Sequence, residues 1–421
     1  MKRFGSVLLA AGLLASAAPV RAQTLDAAIR DALAYSPAIE EASAEQKAAQ
    51  SLLGSARAEG NPLLRVEGSV GTGRIDPQGF FGLSADDTTP LALKATAEMP
   101  LYAGGRTAAA IGRAKDGVEI ARLQAEQARL QTVVATVSAY ANLLSSRQIE
   151  ARSRKLVAQL TETQRQAKLR FQSGDIPSSE VALARARKAE ADAGLAQAEG
   201  RRMSAEARYR RITGKPAGEL APLPPLPMLP ATLDEAVDRA RASNPMLLQS
   251  QAAISAAHAG VRVAKAEGMP VIGIFTEAAR VRDQFFPDYR ANSATVGVRG
   301  QWTLWAGGRV ASQVQQADAA LSATHAQARA TQLEVDGMAI DGWQAVQTAR
   351  QMLSAARARS EASAEALRST QLEAQVGEKP TLALLDAERD ALEAEAGLIE
   401  AEGAQLVAAY TLRAIMGVAI P

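Results

Sequence analysis

The sequence predicts a mainly α protein with a small β part, in which one unit occurs twice, each copy a long αα-hairpin joined to a β-hairpin. Three observations predict it: motifs that recur in one order at a near-constant spacing, two proline-free helix-forming stretches of about 67 residues, and four segments of about ten residues with alternating hydrophobicity.

The duplication orders everything else. "TLDAAIRDALAYSPAIEE" starts at Thr24 and "TLDEAVDRARASNPMLLQ" at Thr232, an offset of 208 that also carries "AEGNP" (58–62) onto "AEGMP" (266–270). From Gly104 and Gly307 onward the offset is 203, aligning Tyr140 with Trp343, Gly174 with Gly377, Pro177 with Pro380, and "ITG" (212–214) with "IMG" (415–417). The offset changes between Pro62 and Leu101, so a loop there differs in length. The reading is a first repeat over 23–214, a Pro-rich linker over 215–231 and a second repeat over 232–421. Six prolines between 216 and 230 forbid helix in the linker and favour an extended, semi-rigid connector.

Within each repeat, a short helix with Asp26 (or Asp234) in its first turn stops before Ser36-Pro37 (or Asn244-Pro245), and a second helix runs to Gly60 (or Gly268). The period then falls to two. Hairpins are expected at about 62–101 and 270–305. Leu64, Val66, Gly68 and Val70 oppose Arg65, Glu67 and Ser69; Leu91, Leu93, Ala95, Ala97, Met99 and Leu101 oppose Lys94, Thr96 and Glu98; "TVGVRGQWTLW" (295–305) continues the pattern in the second copy. Such lengths suit a tilted membrane-crossing strand, or a soluble hairpin with one face on a core. In a membrane, four strands per chain cannot close a barrel, so several chains would share one. Tyr102, Trp302 and Trp305 stand where an interfacial aromatic belt would lie, or are buried aromatics.

"PLYAGGR" and "LWAGGR" precede the long helices. Gly104, Gly105, Gly307 and Gly308 are the expected strand–helix junctions; they lack the Lys-Ser/Thr of a phosphate loop and the third glycine of a dinucleotide loop. Long helical hairpins follow at about 104–214 and 307–417, turning at "FQSGDIPSSEV" and "AQVGEKPTLAL". Each rod of about 67 residues spans ~100 Å, and its narrow apolar stripes suit coiled-coil packing with a polar face left over.

Composition narrows the chemistry. With no Cys and two His (His258 and His325, on different predicted helices), disulfides and thiolate sites are excluded, and no catalytic, cofactor or metal constellation is evident. The first 22 residues, with Lys2, Arg3, an apolar run and "VRA", read as a secretory signal peptide; without them the net charge passes from +2 to −1, and nothing suggests nucleic acid. Without Cys there is no thiol for N-terminal lipidation. No later stretch has the apolar length of a spanning helix.

Over residues 24–417 these motifs together resemble the TolC-like outer membrane efflux factors, on the "TLDAA…SP" openings, "AEG-x-P", the two Gly-Gly-Arg junctions, the glycine-containing helix turns, "LLDAERDAL" (384–392) and "ITG"/"IMG". The resemblance implies a homotrimer, a twelve-stranded barrel in outer membrane lipid of a Gram-negative bacterium, and a twelve-helix barrel across the periplasm. It further implies a passive duct docked to a periplasmic adaptor and an inner-membrane pump of the resistance-nodulation (RND) or ABC type. Carried over by position, periplasmic gate charges fall on Asp386, Lys379 and Glu180, with Glu180 and Lys379 pairing, and adaptor contacts fall on the turns at Gly174, Asp175, Gly377 and Glu378. The sequence departs from the family pattern at Ala383 and Ala374. Type I protein secretion and a soluble periplasmic coiled-coil scaffold are the alternative functions. The gate charges are alternatively ordinary exposed helix charges.

Overall fold

The structure is a computed structural model that describes residues 22–76, 85–285 and 288–418; residues 1–21 of the expected signal peptide lie outside them. Element order repeats with the motifs. The first copy comprises α1 (Leu25–Tyr35), α2 (Pro37–Ala58), β1 (Leu63–Val70), β2 (Gly73–Ile75), β3 (Asp86–Thr88), β4 (Leu91–Ala103), α3 (Arg106–Gln172) and α4 (Ser178–Thr213). The second has α5 (Leu233–Ser243), α6 (Pro245–Ala266), β5 (Val271–Arg282), β6 (Arg290–Gln301), α7 (Arg309–Gln375) and α8 (Thr381–Ile415). The small β2–β3 hairpin was not anticipated, and it occupies the region where the copies differ in loop length.

Local chemistry explains the boundaries. Thr24 and Thr232 cap α1 and α5, accepting from Ala27 N and Glu235 N, and Pro37 and Pro245 open the following helices, where a missing N–H costs nothing. α3 and α7 are each 67 residues long. Neither could persist alone with so weak an apolar face. Each is flanked along its length by its return helix and by α6, with α2 and α8 also against α3.

The main core sits midway along the helices, where α1, α3, α4 and α8 converge. Ile29, Val137, Tyr140, Leu143, Tyr209 and Leu406 are fully buried there, with Leu220 of the linker sealing the cluster. A second cluster holds Ala236, Val346, Leu412 and Met416, with Trp343 against it. Ala236, Val346 and Leu412 are the repeat partners of Ala28, Leu143 and Tyr209, so the duplication extends to the packing.

The linker is extended, and it is also bound. Gln23 N donates to Glu219 O (2.7 Å), Ala221 N to Gln23 O (3.0 Å), and Tyr140 Oη lies 2.7 Å from Ala221 O and 2.9 Å from Gln23 O. Arg147 adds bonds to Gly218 O (2.6 Å) and Ala217 O (3.2 Å). The strand-like strap is thereby bonded to the first repeat at Gln23, Tyr140 and Arg147.

The four long strands form one antiparallel sheet ordered β1-β4-β5-β6. Leu64, Val66, Gly68 and Val70 stand opposite Ala97, Ala95, Leu93 and Leu91, so the predicted apolar faces of the first hairpin coincide. On β5 the matching face carries Ile272, Ile274, Thr276, Ala278, Arg280 and Arg282; it is exposed at every position, while the alternate face is partly covered. We call this more exposed face the convex one and the opposite face the concave one. β1 and β6 each have one unpaired edge within the protomer.

Candidate functional site

At the far end from the sheet, both long helices end alike. α3 stops at Ser173 before Gly174 (φ 84°) and α7 at Val376 before Gly377 (φ 83°). Asp175 N then reaches Arg170 O, and Glu378 N reaches Glu373 O, each at 2.9 Å, closing a left-handed helix cap. Pro177 and Pro380 cap the return helices. The tips expose Phe171, Leu372 and Val376.

Lys379 Nζ is 2.8 Å from Glu373. The expected partner was Glu180, which lies in the first turn of α4 on the other hairpin. Within the protomer the near carboxylate is Glu373, because the short turn brings the last helical turn of α7 back beside Lys379.

Asp386 is held by a residue the sequence reading did not single out. Arg187 of α4 gives one terminal nitrogen to Asp386 Oδ1 (2.8 Å) and the other to Glu190 (2.9 Å), joining the two return helices. Arg187 lies seven residues after Glu180, on the same helical stripe, which is the spacing that could have found it. Glu388 is half-buried on α8 with Oε2 unpaired, and burial raises its carboxyl above the ordinary range. A loss or gain of charge here therefore acts on a contact between hairpins.

At the other end are the strand–helix joints. Gly104 and Gly307 have φ 60°, and Gly105 and Gly308, at φ 82° and 85°, are the N-caps of α3 and α7. Two successive left-handed residues turn the chain from strand to helix with little steric cost only as glycine. At Gly104 a Cβ would also stand 2.3 Å from Met269 Cβ.

The aromatic residues flank this joint. β4 has a bulge between Pro100 and Tyr102, where proline cannot supply a ladder N–H, and Gly273 lets Met99 O approach. After the bulge Tyr102 stands opposite Ile272, on the convex face; simple alternation from Glu98 would have turned it to the concave one. β6 ends at Gln301, so the strand alternation expected through Trp305 stops short, and Trp302 and Trp305 follow the strand. Both are exposed, at 59% and 84%, and Trp302 Nε1 donates to Gly268 O (3.1 Å). That bond draws the chain off the ladder towards the end of α6.

His258 and His325, assigned to separate helices, meet edge to face with ring centroids 5.8 Å apart. Among the described residues no group of three or more His, Cys, Asp or Glu is placed to hold a metal, and no helix is long and apolar enough to cross a membrane.

The protomer is an open four-stranded sheet with an exposed apolar face, continued by paired helical rods that end in glycine-containing turns. The chain belongs to the outer membrane efflux protein family, whose description matches residues 28–215 and 236–418. It is 30% identical over 320 residues to the outer membrane efflux protein BepC of Brucella suis, covering 74% of this chain and 69% of that one. Its fold is similar to a membrane protein from Pseudomonas aeruginosa (TM-score 0.80, 19% identity, 93% of each chain). It is also similar to the CmeC outer membrane channel of Campylobacter jejuni (TM-score 0.79, 16% identity, 93% of this chain and 85% of that one).

Proposed function

We propose that three copies of this chain close edge to edge, β6 of one protomer against β1 of the next, into a twelve-stranded barrel in outer membrane lipid. The helices continue it as a passive export duct through the periplasm. The observation that carries the reading is the sheet: four strands, two free edges and a convex band of exposed Leu64, Val66, Val70, Leu93, Val296 and Val298. Free edges and exposed apolar strands are both unfavourable in water, and a closed barrel in lipid removes both. A free-standing coiled-coil scaffold leaves that band unexplained. Efflux is favoured over type I protein secretion by the family and by the Brucella relative.

In this reading Tyr102, Trp302 and Trp305 form the periplasmic-side belt, and Gly104, Gly105, Gly307 and Gly308 are the joints between barrel and rod. The turns at Gly174, Asp175, Gly377 and Glu378 meet a periplasmic adaptor, supported by the exposed Phe171, Leu372 and Val376 beside them. An inner-membrane pump of the RND or ABC type would load the duct. Asp386, with Arg187, Lys379 and Glu180, forms the gate near these turns.

The test is outer membrane fractionation combined with edge crosslinking. The chain has no native Cys, so Ser69→Cys on β1 paired with single cysteines scanned along 291–299 of β6 should give a covalent trimer at one register. A protein that stays in the soluble periplasmic fraction, or never crosslinks between protomers, refutes the duct.

A further inference from the structure

We infer that the distal end of the second hairpin carries a binding surface for a phosphorylated lipid headgroup of the outer leaflet, built by Arg280, Arg282 and Arg290. The inference rests on the proposed membrane orientation.

The register sorts the charges of the long strands. Arg65, Glu67, Lys94, Glu98, Glu277 and Arg299 all fall on the concave face, and there they find one another or a ring: Lys94 lies 2.8 Å from Glu277, and the Arg299 guanidinium lies 4.4 Å from the centre of the Phe275 ring. Three charges fall on the convex face. All three are arginines, and all lie at the end away from the helices.

Arg282 stands directly opposite Arg290, and Arg280, opposite Asn292, is their neighbour on the same face. Across β5, the other neighbours of Arg282 and Arg280 are Leu91 and Leu93 of the apolar band. All three arginines are exposed, and no carboxylate of the described residues pairs with them. Like charges directly opposite in a ladder repel, and an anion bound between them would relieve that repulsion beyond what the neighbouring Asp283 and Asp288 supply.

Position selects the anion. On a lipid-facing strand a cation is costly at mid-membrane and nearly free at the interface, and from Ile274 to Arg280 a tilted strand climbs ~15 Å. The helices leave from the opposite end, so this interface is the outer one. An acyl chain on Leu91, Leu93 and Val296 with its phosphate among three guanidinium groups satisfies both halves of the surface, because arginine forks bind phosphate oxygens bidentately. The first hairpin carries Val70 and Leu91 at the corresponding end, so a trimer would present three such surfaces.

The full-length trimer, purified in detergent, is titrated with diphosphorylated lipid A, with its dephosphorylated form and with inorganic phosphate, read by native mass spectrometry. The R280Q/R282Q/R290Q variant should bind the phosphorylated lipid about a hundredfold more weakly, while the corresponding triple Lys variant keeps most of the affinity. Equal binding of both lipids, unchanged affinity in the Gln variant, or equally tight capture of free phosphate overturns the inference. If the Gln variant does not assemble, the single R280Q variant is read in its place, with a loss of several-fold expected. A trimer that fractionates with the outer membrane yet ignores lipid phosphate refutes this surface alone; a chain that does neither refutes the duct.

Discussion

Asp386 and Glu388 sit two residues apart on α8 and occupy opposite situations. Asp386 is partnered by Arg187, while Glu388 is half-buried with an unpaired oxygen. An ion pair as open as Arg187–Asp386 contributes only about 0.2–1 kcal/mol to stability, so its expected effect is on opening rather than on folding. Arg187→Ala should raise closed-state conductance in bilayer recordings and leave the melting temperature nearly unchanged; unaltered conductance removes Arg187 from the gate. For Glu388, burial raises the folded pKa above the unfolded value. Its protonated form is therefore the one the folded state favours, and the contribution is fully present below the ordinary carboxylate pKa and lost as pH rises through the folded value. Glu388→Gln should accordingly raise thermal stability at neutral pH, with the advantage vanishing on acidification. Melting curves across pH check the sign.

Among the elements, the linker strap and the helix ends carry the most specific contacts. Tyr140 has its hydroxyl between the Ala221 carbonyl of the strap and the Gln23 carbonyl that the strap bonds, and burial pushes its phenol up to about 12, so it is neutral at any physiological pH. Tyr140→Phe leaves the Ala221 carbonyl short of a donor, while Gln23 O keeps the Ala221 N–H, and should cost about 1–3 kcal/mol in denaturant unfolding. Gly214 and Gly417, the last residues of "ITG" and "IMG", end α4 and the turn after α8 at φ 72° and 65°. A Cβ on Gly417 would stand 2.0 Å from Ser243 O, and one on Gly214 2.5 Å from the Tyr35 ring. Tyr35 and Ser243 are themselves repeat partners, so one contact between a helix end and α1 or α5 explains both motifs. Gly417→Ala combines left-handed strain with a backbone clash and should cost about 2–4 kcal/mol.

The whole molecule adds a constraint that no element carries alone. The sheet's convex face is exposed in the protomer and would be lipid-facing in a closed barrel. Val296→Lys would then place a charge in the apolar band and should destabilise the assembled barrel by ~2–4 kcal/mol, measured by unfolding in bilayers. In a water-soluble protein the same exposed position would tolerate lysine, so a neutral outcome argues against the membrane reading. By contrast, Lys94 lies on the opposite face beside Glu277, which a closed barrel would turn inward, so its substitution should spare the barrel and alter ion selectivity.

Much of this was legible along the chain, because duplication writes each motif twice and because periods of 3.6 and 2 are local properties of backbone geometry. Long helices, four strands, glycine joints and the alternating sheet face follow from that local information. Contacts between distant segments do not. That Arg187 holds Asp386, that the linker is a bonded strap, and that a bulge at Pro100 turns Tyr102 to the convex face each depend on register between elements far apart in sequence, while Lys379 finds Glu373 through the geometry of one turn. Alternation alone also could not single out Arg280, Arg282 and Arg290, since which face of β5 matches the apolar face of β4 is decided only when their hydrogen bonds pair Ala95 with Ala278. The sequence determined which elements form; tertiary pairing decided which charges meet, because a one-residue shift in a strand exchanges its two faces.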